Sequence, residues 1–98
     1  SGGQQQQLAI ARCLMGAPKI VLLDEPTEGI QPNVVFEIAS TINAISREMG
    51  LSVILVEQNL KFARRIADRF LIMQKGQIVC RGAIDELTDE VGRQYLSV

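Results

Sequence analysis

Two short aliphatic runs punctuate the chain: Ile20-Val21-Leu22-Leu23, and the run within Ser52–Val56. Both are wholly or nearly apolar and too short for helices, so each predicts a strand buried on both faces. Around them the apolar residues recur at helical spacing. Leu8, Ala11 and Leu14 or Met15 predict a helix over 4–15, capped by Ser1 and ended by Gly16 and Pro18. Val35, Ile38, Ile42, Ile45 and Met49 form one stripe of a second helix over about 33–48, which Gly50 stops. Leu60, Ala63 and Ala67 mark a third, short helix. Arg69–Met73 and Gln77–Cys80 predict a hairpin turning at Lys75-Gly76, and a helical tail begins at Ala83 with Asp85 and Glu86 in its first turn.

Strands alternating with helices predict a parallel α/β sheet, whose ligands gather at the carboxyl ends of the strands. Two polar clusters fall at such ends: Asp24-Glu25 and Glu57-Gln58. Adjacent acids at a strand end point to opposite sides, so one can reach a metal-bound water while the other faces a separate water. Phosphoryl transfer uses such a division of labour, but two solvated acids opening a turn fit the same pattern. Ser1-Gly2-Gly3, ahead of a helix, offers unobstructed amides and a partial positive charge suited to phosphate, or simply an ordinary capped helix start.

Composition narrows the class. With 98 residues, 47% hydrophobic and 21% charged, the chain is globular and amounts to one small domain or a large part of one. Ten basic and eleven acidic side chains are spread along it, giving a net charge of −1 and no basic tract for nucleic acid. No apolar run reaches the ~18 residues of a membrane helix. Cys13 and Cys80 lack metal-ligand spacing and read as reduced, buried small residues.

Taken together, SGGQQQQLAIAR followed by IVLLDEPTEG resembles the signature motif and Walker B strand of ATP-binding-cassette (ABC) ATPases. EGIQP stands where that family has its D-loop, VEQ where it has its switch residue, and KGQIVCRG where it has a C-terminal hairpin. The resemblance implies a P-loop NTPase-type parallel sheet with flanking helices, residues 1–98 being the C-terminal portion of one ABC ATPase domain. It also implies ATP and Mg²⁺ as ligands, and a head-to-tail dimer with a second ABC ATPase subunit. Ser1, Gly2, Gly3 and Gln4 would contact the γ-phosphate of ATP held by the partner. Asp24 would hold Mg²⁺ through water, Glu25 would be the general base, and Gln58 would contact the γ-phosphate. Gln31 would stand at the nucleotide interface, at the end of the D-loop.

Two positions depart from the family pattern. Gln31 replaces the usual aspartate of the D-loop, and Gln58 replaces the usual switch histidine, the chain having no histidine. A glutamine donates a hydrogen bond but carries neither proton nor charge, so no mechanism here runs through an imidazole. DEPTEGIQP with LVEQNLKFA is similar to the ATPase subunits of branched-chain amino-acid and urea importers, among which glutamine at the switch position is usual. The resemblance thus implies a cytoplasmic subunit, peripheral on the inner face of the plasma membrane, that energises a transmembrane permease and binds no nucleic acid.

No GxxxxGK[ST] phosphate loop (Walker A) occurs among the 98 residues. The expectation is therefore a stretch of a longer polypeptide, inactive by itself and prone to self-association through an uncovered Val35–Met49 stripe. Two other readings remain open at this point. One is a non-catalytic half-module completing a partner's ATP site, the other a non-transport ABC ATPase.

Overall fold

A computed structural model of the chain describes residues 2–96. The expected Ser1 cap lies outside the described residues. The elements run α1 (Gly2–Leu14), β1 (Ile20–Asp24), α2 (Pro32–Met49), β2 (Ser52–Val56), α3 (Leu60–Ile66), β3 (Arg69–Gln74), β4 (Gln77–Ala83), a 3₁₀ turn (Ile84–Glu86) and α4 (Asp89–Tyr95). They form two compact units, residues 1–66 and 67–98.

In the first unit β1 and β2 pair in parallel, with Ile20 opposite Ser52, Leu22 opposite Ile54 and Asp24 opposite Val56. The chain returns from one strand to the next through α2, the crossover that a parallel pair requires. Proline at the first position of α2 costs no hydrogen bond, and Gly50 closes the helix in the left-handed conformation, φ 63°, its amide on the Ser46 carbonyl. Val35, Ile38, Ala39 and Ile42 of α2 are buried with Ile10 of α1 and Phe62 of α3, and Leu23, Val53 and Leu55 pack against them from the sheet.

Four expectations are overturned here. The Val35–Met49 stripe is not an uncovered face: most of it is the core, and only its last residue, Met49, is about half exposed. Conversely, β1 and β2 are not buried on both faces. Ile20, Leu22, Ile54 and Val56 are each more than half exposed, because the helices gather on the side of Val21, Leu23, Val53 and Leu55. An unbroken aliphatic run does not reveal which of its two faces has a neighbour. In α1, Leu8 and Ala11 are exposed while Gly3, Ile10 and Leu14 face the core. The run of glutamines masks this second stripe, which Ile10 and Leu14 mark by their i, i+4 spacing. Cys13, expected to be buried, is exposed on the outer side of α1, and both cysteines are free.

The second unit is an antiparallel hairpin, β3 on β4, turning at Lys75 and Gly76 with φ 50° and 78°. Such a two-residue turn with both φ positive matches the twist of the strands. The helical tail does not begin at Ala83, which ends β4. The Ala83 amide donates to Glu86 Oε1 at 3.1 Å, and the regular helix waits for Thr88, whose hydroxyl accepts from the Val91 amide at 3.3 Å. A threonine that can cap outcompetes an alanine that cannot.

Candidate functional site

The strand register brings the two polar clusters together. Asp24 lies opposite Val56, so Glu25 and Glu57 follow side by side at the carboxyl ends of β1 and β2. The ladder continues one step past the strands: the Glu25 amide donates to the Val56 carbonyl at 2.7 Å. Glu25 then turns sharply, with φ 46°, a left-handed conformation that a side chain with a Cβ adopts at a cost. A tight turn closes from the Glu28 amide to the Glu25 carbonyl at 3.1 Å, and a second from Ile30 to Thr27 at 3.1 Å. Asp24 and Gln58 are exposed, and Glu25 and Glu57 are half-buried.

Four carboxylates crowd this edge, and Glu25 registers it. A hydrogen bond with Glu28 and the Glu28 charge hold its pKa above the ordinary carboxylate range, with desolvation and the charges of Asp24 and Glu57 adding to the effect. A carboxyl whose folded-state pKa is raised binds its proton more tightly when folded. Its ionisation therefore opposes folding above the raised pKa, and the penalty is absent below the ordinary value. A carboxyl NMR titration of Glu25 should show a midpoint above that of a free glutamate; a midpoint at or below it would contradict the crowding.

Two contacts at this edge, those of Gln6 and Thr27, were not legible as function. Gln6 Nε2 of α1 donates to the Pro26 carbonyl at 2.7 Å, tying the first helix to the turn. The hydroxyl of buried Thr27 donates to Glu57 Oε2 at 2.9 Å. Glu57 Oε1 in turn accepts from the amides of Gln58 at 3.1 Å and Asn59 at 3.3 Å. Asn59 Oδ1 then caps α3 on the Phe62 amide at 3.1 Å. Asn59 followed three residues later by an apolar residue was a readable cap signal; the Gln6 and Thr27 partners, 20 and 30 residues away, were not.

Gly2 and Gly3, expected to precede the first helix, form its first turn, where amides have no carbonyl one turn back within the helix. Gly3 also has a packing role. A Cβ there would stand 2.3 Å from Val34 Cγ1, and one at Gly2 would stand 3.2 Å from Ile30 Cδ1. Valine is stiff at χ1, so Gly3→Ala is expected to destabilise the chain by ~1–3 kcal/mol, measured by denaturant unfolding. An unchanged midpoint would show that α2 shifts freely. Gln4 follows in the same turn, and Ser1 lies outside the described residues. Gln31 is exposed and caps α2 with its backbone carbonyl, which accepts from Val34 at 3.0 Å and Val35 at 3.1 Å.

One carboxylate at an exposed strand end is what Mg²⁺ asks of a protein when it keeps several waters and shares the phosphates of its substrate. Asp24 fits that demand, and the surplus negative charge that raises the pKa of Glu25 favours a cation beside it. Among the described residues no group of three or more acidic, histidine or cysteine side chains forms a cage of its own. No helix among them is long and apolar enough to cross a membrane.

A parallel β-α-β unit gathers its ligands at the carboxyl ends of its strands, which is where these acids stand. The family model described as ABC transporter matches residues 1–28. The high-affinity branched-chain amino acid transport ATP-binding protein BraG of Pseudomonas aeruginosa is 48% identical over 81% of this chain and 34% of its own. The methionine import ATP-binding protein MetN of Campylobacter jejuni is 45% identical over 89% of this chain and 26% of its own. Among solved structures, cbiO1 from Clostridium perfringens, part of the ABC transporter complex cbiONQ, superposes with a TM-score of 0.82 at 31% identity, over 94% of this chain and 38% of that one. The chain belongs to the ABC transporter ATPases and carries part of their ATP-binding domain. It spans about a third of the length of these relatives.

Proposed function

We propose that the full-length protein bearing this stretch is the ATP-hydrolysing subunit of an importer for branched-chain amino acids or urea. In this reading it works as a dimer of cassettes on the cytoplasmic face of a transmembrane permease. Residues 1–98 are the C-terminal portion of its ATPase domain. The observation that carries the reading is the pairing of the Asp24-Glu25 and Glu57-Gln58 strand ends, one register step apart. The names of BraG and MetN, both amino-acid transport proteins, support the solute class. The wording DEPTEGIQP supports the urea branch by resemblance. Part of a named transporter complex among the structural relatives supports a permease partner.

In this mechanism Glu25 orients the attacking water and takes its proton as the oxygen bonds to the γ-phosphorus and the bridging oxygen leaves with ADP. Asp24 would hold Mg²⁺, which would supply charge neutralisation on the phosphates. Gln58 donates its side-chain amide to a γ-phosphate oxygen, a contact that needs no titratable group. Ser1, and Gly2, Gly3 and Gln4 of the first turn of α1, contact ATP held by the second cassette, and Gln31 belongs to the dimer face.

The test is ATP turnover by the purified full-length protein. Mg²⁺-dependent hydrolysis is the expected result; a folded full-length protein that binds ATP and never turns it over would overturn the reading.

A further inference from the structure

Glu57 is the residue the mechanism above leaves unused, although it has the richest set of contacts at the site. Its carboxylate accepts from three donors on two sides: the Thr27 hydroxyl on Oε2, and the Gln58 and Asn59 amides on Oε1. A carboxylate is acceptor-only with two oxygens, so it can satisfy donors on both sides at once. A glutamine there has a single acceptor oxygen and would have to present its NH₂ to one side. Thr27 is buried, at 7% exposure, and its backbone belongs to both tight turns that follow Glu25. The contact therefore joins the turn carrying Asp24 and Glu25 to the backbone that carries Gln58. On its other side the same turn is held by Gln6 through the Pro26 carbonyl.

We infer that Glu57 is a positioning residue which, braced by the Thr27 hydroxyl, fixes the backbone at Gln58 and couples it to the Asp24-Glu25 turn. This rests on the ATPase reading above and adds a role to it. The coupling is local, through one hydroxyl and one carboxylate, and it makes Thr27 the cleaner place to cut. Valine has the shape of threonine and suits a buried position, so Thr27→Val removes the donor while half-buried Glu57 keeps access to water.

The experiment compares Thr27→Val and Thr27→Ser in the full-length protein, each with Gln58 intact and in a Gln58→Ala background. With Gln58 present, Thr27→Val should lower kcat for ATP hydrolysis by about five- to tenfold with KM within about twofold. Thr27→Ser, which keeps the hydroxyl, should stay within about twofold of the unsubstituted protein. In the Gln58→Ala background the valine substitution should cost less than about twofold, because the group being positioned is gone. Amide exchange at Gln58 and Asn59 in Thr27→Val should quicken by about fivefold, a readout independent of turnover. Unchanged kcat, unchanged exchange, or equal losses in both backgrounds would overturn the inference while leaving the ATPase reading intact. An unsubstituted protein without turnover would sink the ATPase reading, and this role with it.

Discussion

Replacing Glu25 by glutamine in the full-length protein is expected to lower ATP turnover by about 100-fold or more while leaving nucleotide affinity within about threefold. The substitution is isosteric, so it removes the proton acceptor without emptying space. Unfolding is not a competing explanation. Glu25 sits among Glu28, Asp24 and Glu57, whose charges all raise its pKa, so losing its charge relieves repulsion. The left-handed turn depends on backbone contacts, the Glu25 amide to Val56 and the Glu28 amide to the Glu25 carbonyl, that glutamine retains. The discriminating measurement is single-turnover hydrolysis beside equilibrium ATP binding. Turnover within about threefold of the parent would mean that another group activates the water, and the role assigned to Glu25 would fall.

The largest stability effect is expected at Phe62. It is 2% exposed and is one of the two largest fully buried side chains, the other being Ile38. It closes the core formed by α1 and α2, with Ile10, Val35, Ile38, Ala39 and Ile42 in the same cluster. Phe62→Ala should cost ~3–5 kcal/mol, from lost transfer energy plus the cavity left behind. A chain of this size has about 5–15 kcal/mol of total stability, so much of it would be lost. The neighbouring Lys61 is exposed, and Lys61→Ala should stay within ~0.5 kcal/mol. Urea unfolding of the two variants separates them; a Phe62→Ala cost below ~1 kcal/mol would mean the core repacks around the gap. The effect also bears on the site, because Phe62 anchors the helix whose first turn Asn59 and Glu57 organise.

Several elements were legible from local pattern alone. The two strands, the α2 helix and its stop at Gly50, and the hairpin at Lys75-Gly76 all follow from spacing and turn chemistry within a few residues. The motif wording SGGQQQQLAIAR with IVLLDEPTEG was enough for the family. The roles of Asp24, Glu25, Gln31 and Gln58, and of the start of α1, were drawn from that wording and stand as proposals.

What tertiary structure decided has one physical cause: packing and hydrogen bonding select partners by distance in space. Residues 20–23 and 53–56 read as buried throughout, yet the helices cover one face and leave Leu22 71% exposed. Leu8 looked like a core residue and Ile10 took that place, on the side of α1 where Gly3 approaches Val34 of α2 closely. The turn after Glu25 is built from Gln6, Thr27 and Glu57, three polar residues whose sequence positions announce nothing. Alternation and capping are local and survive in the one-dimensional record. Which face is covered, and which carboxylate meets which hydroxyl, arises only once the chain has folded back on itself.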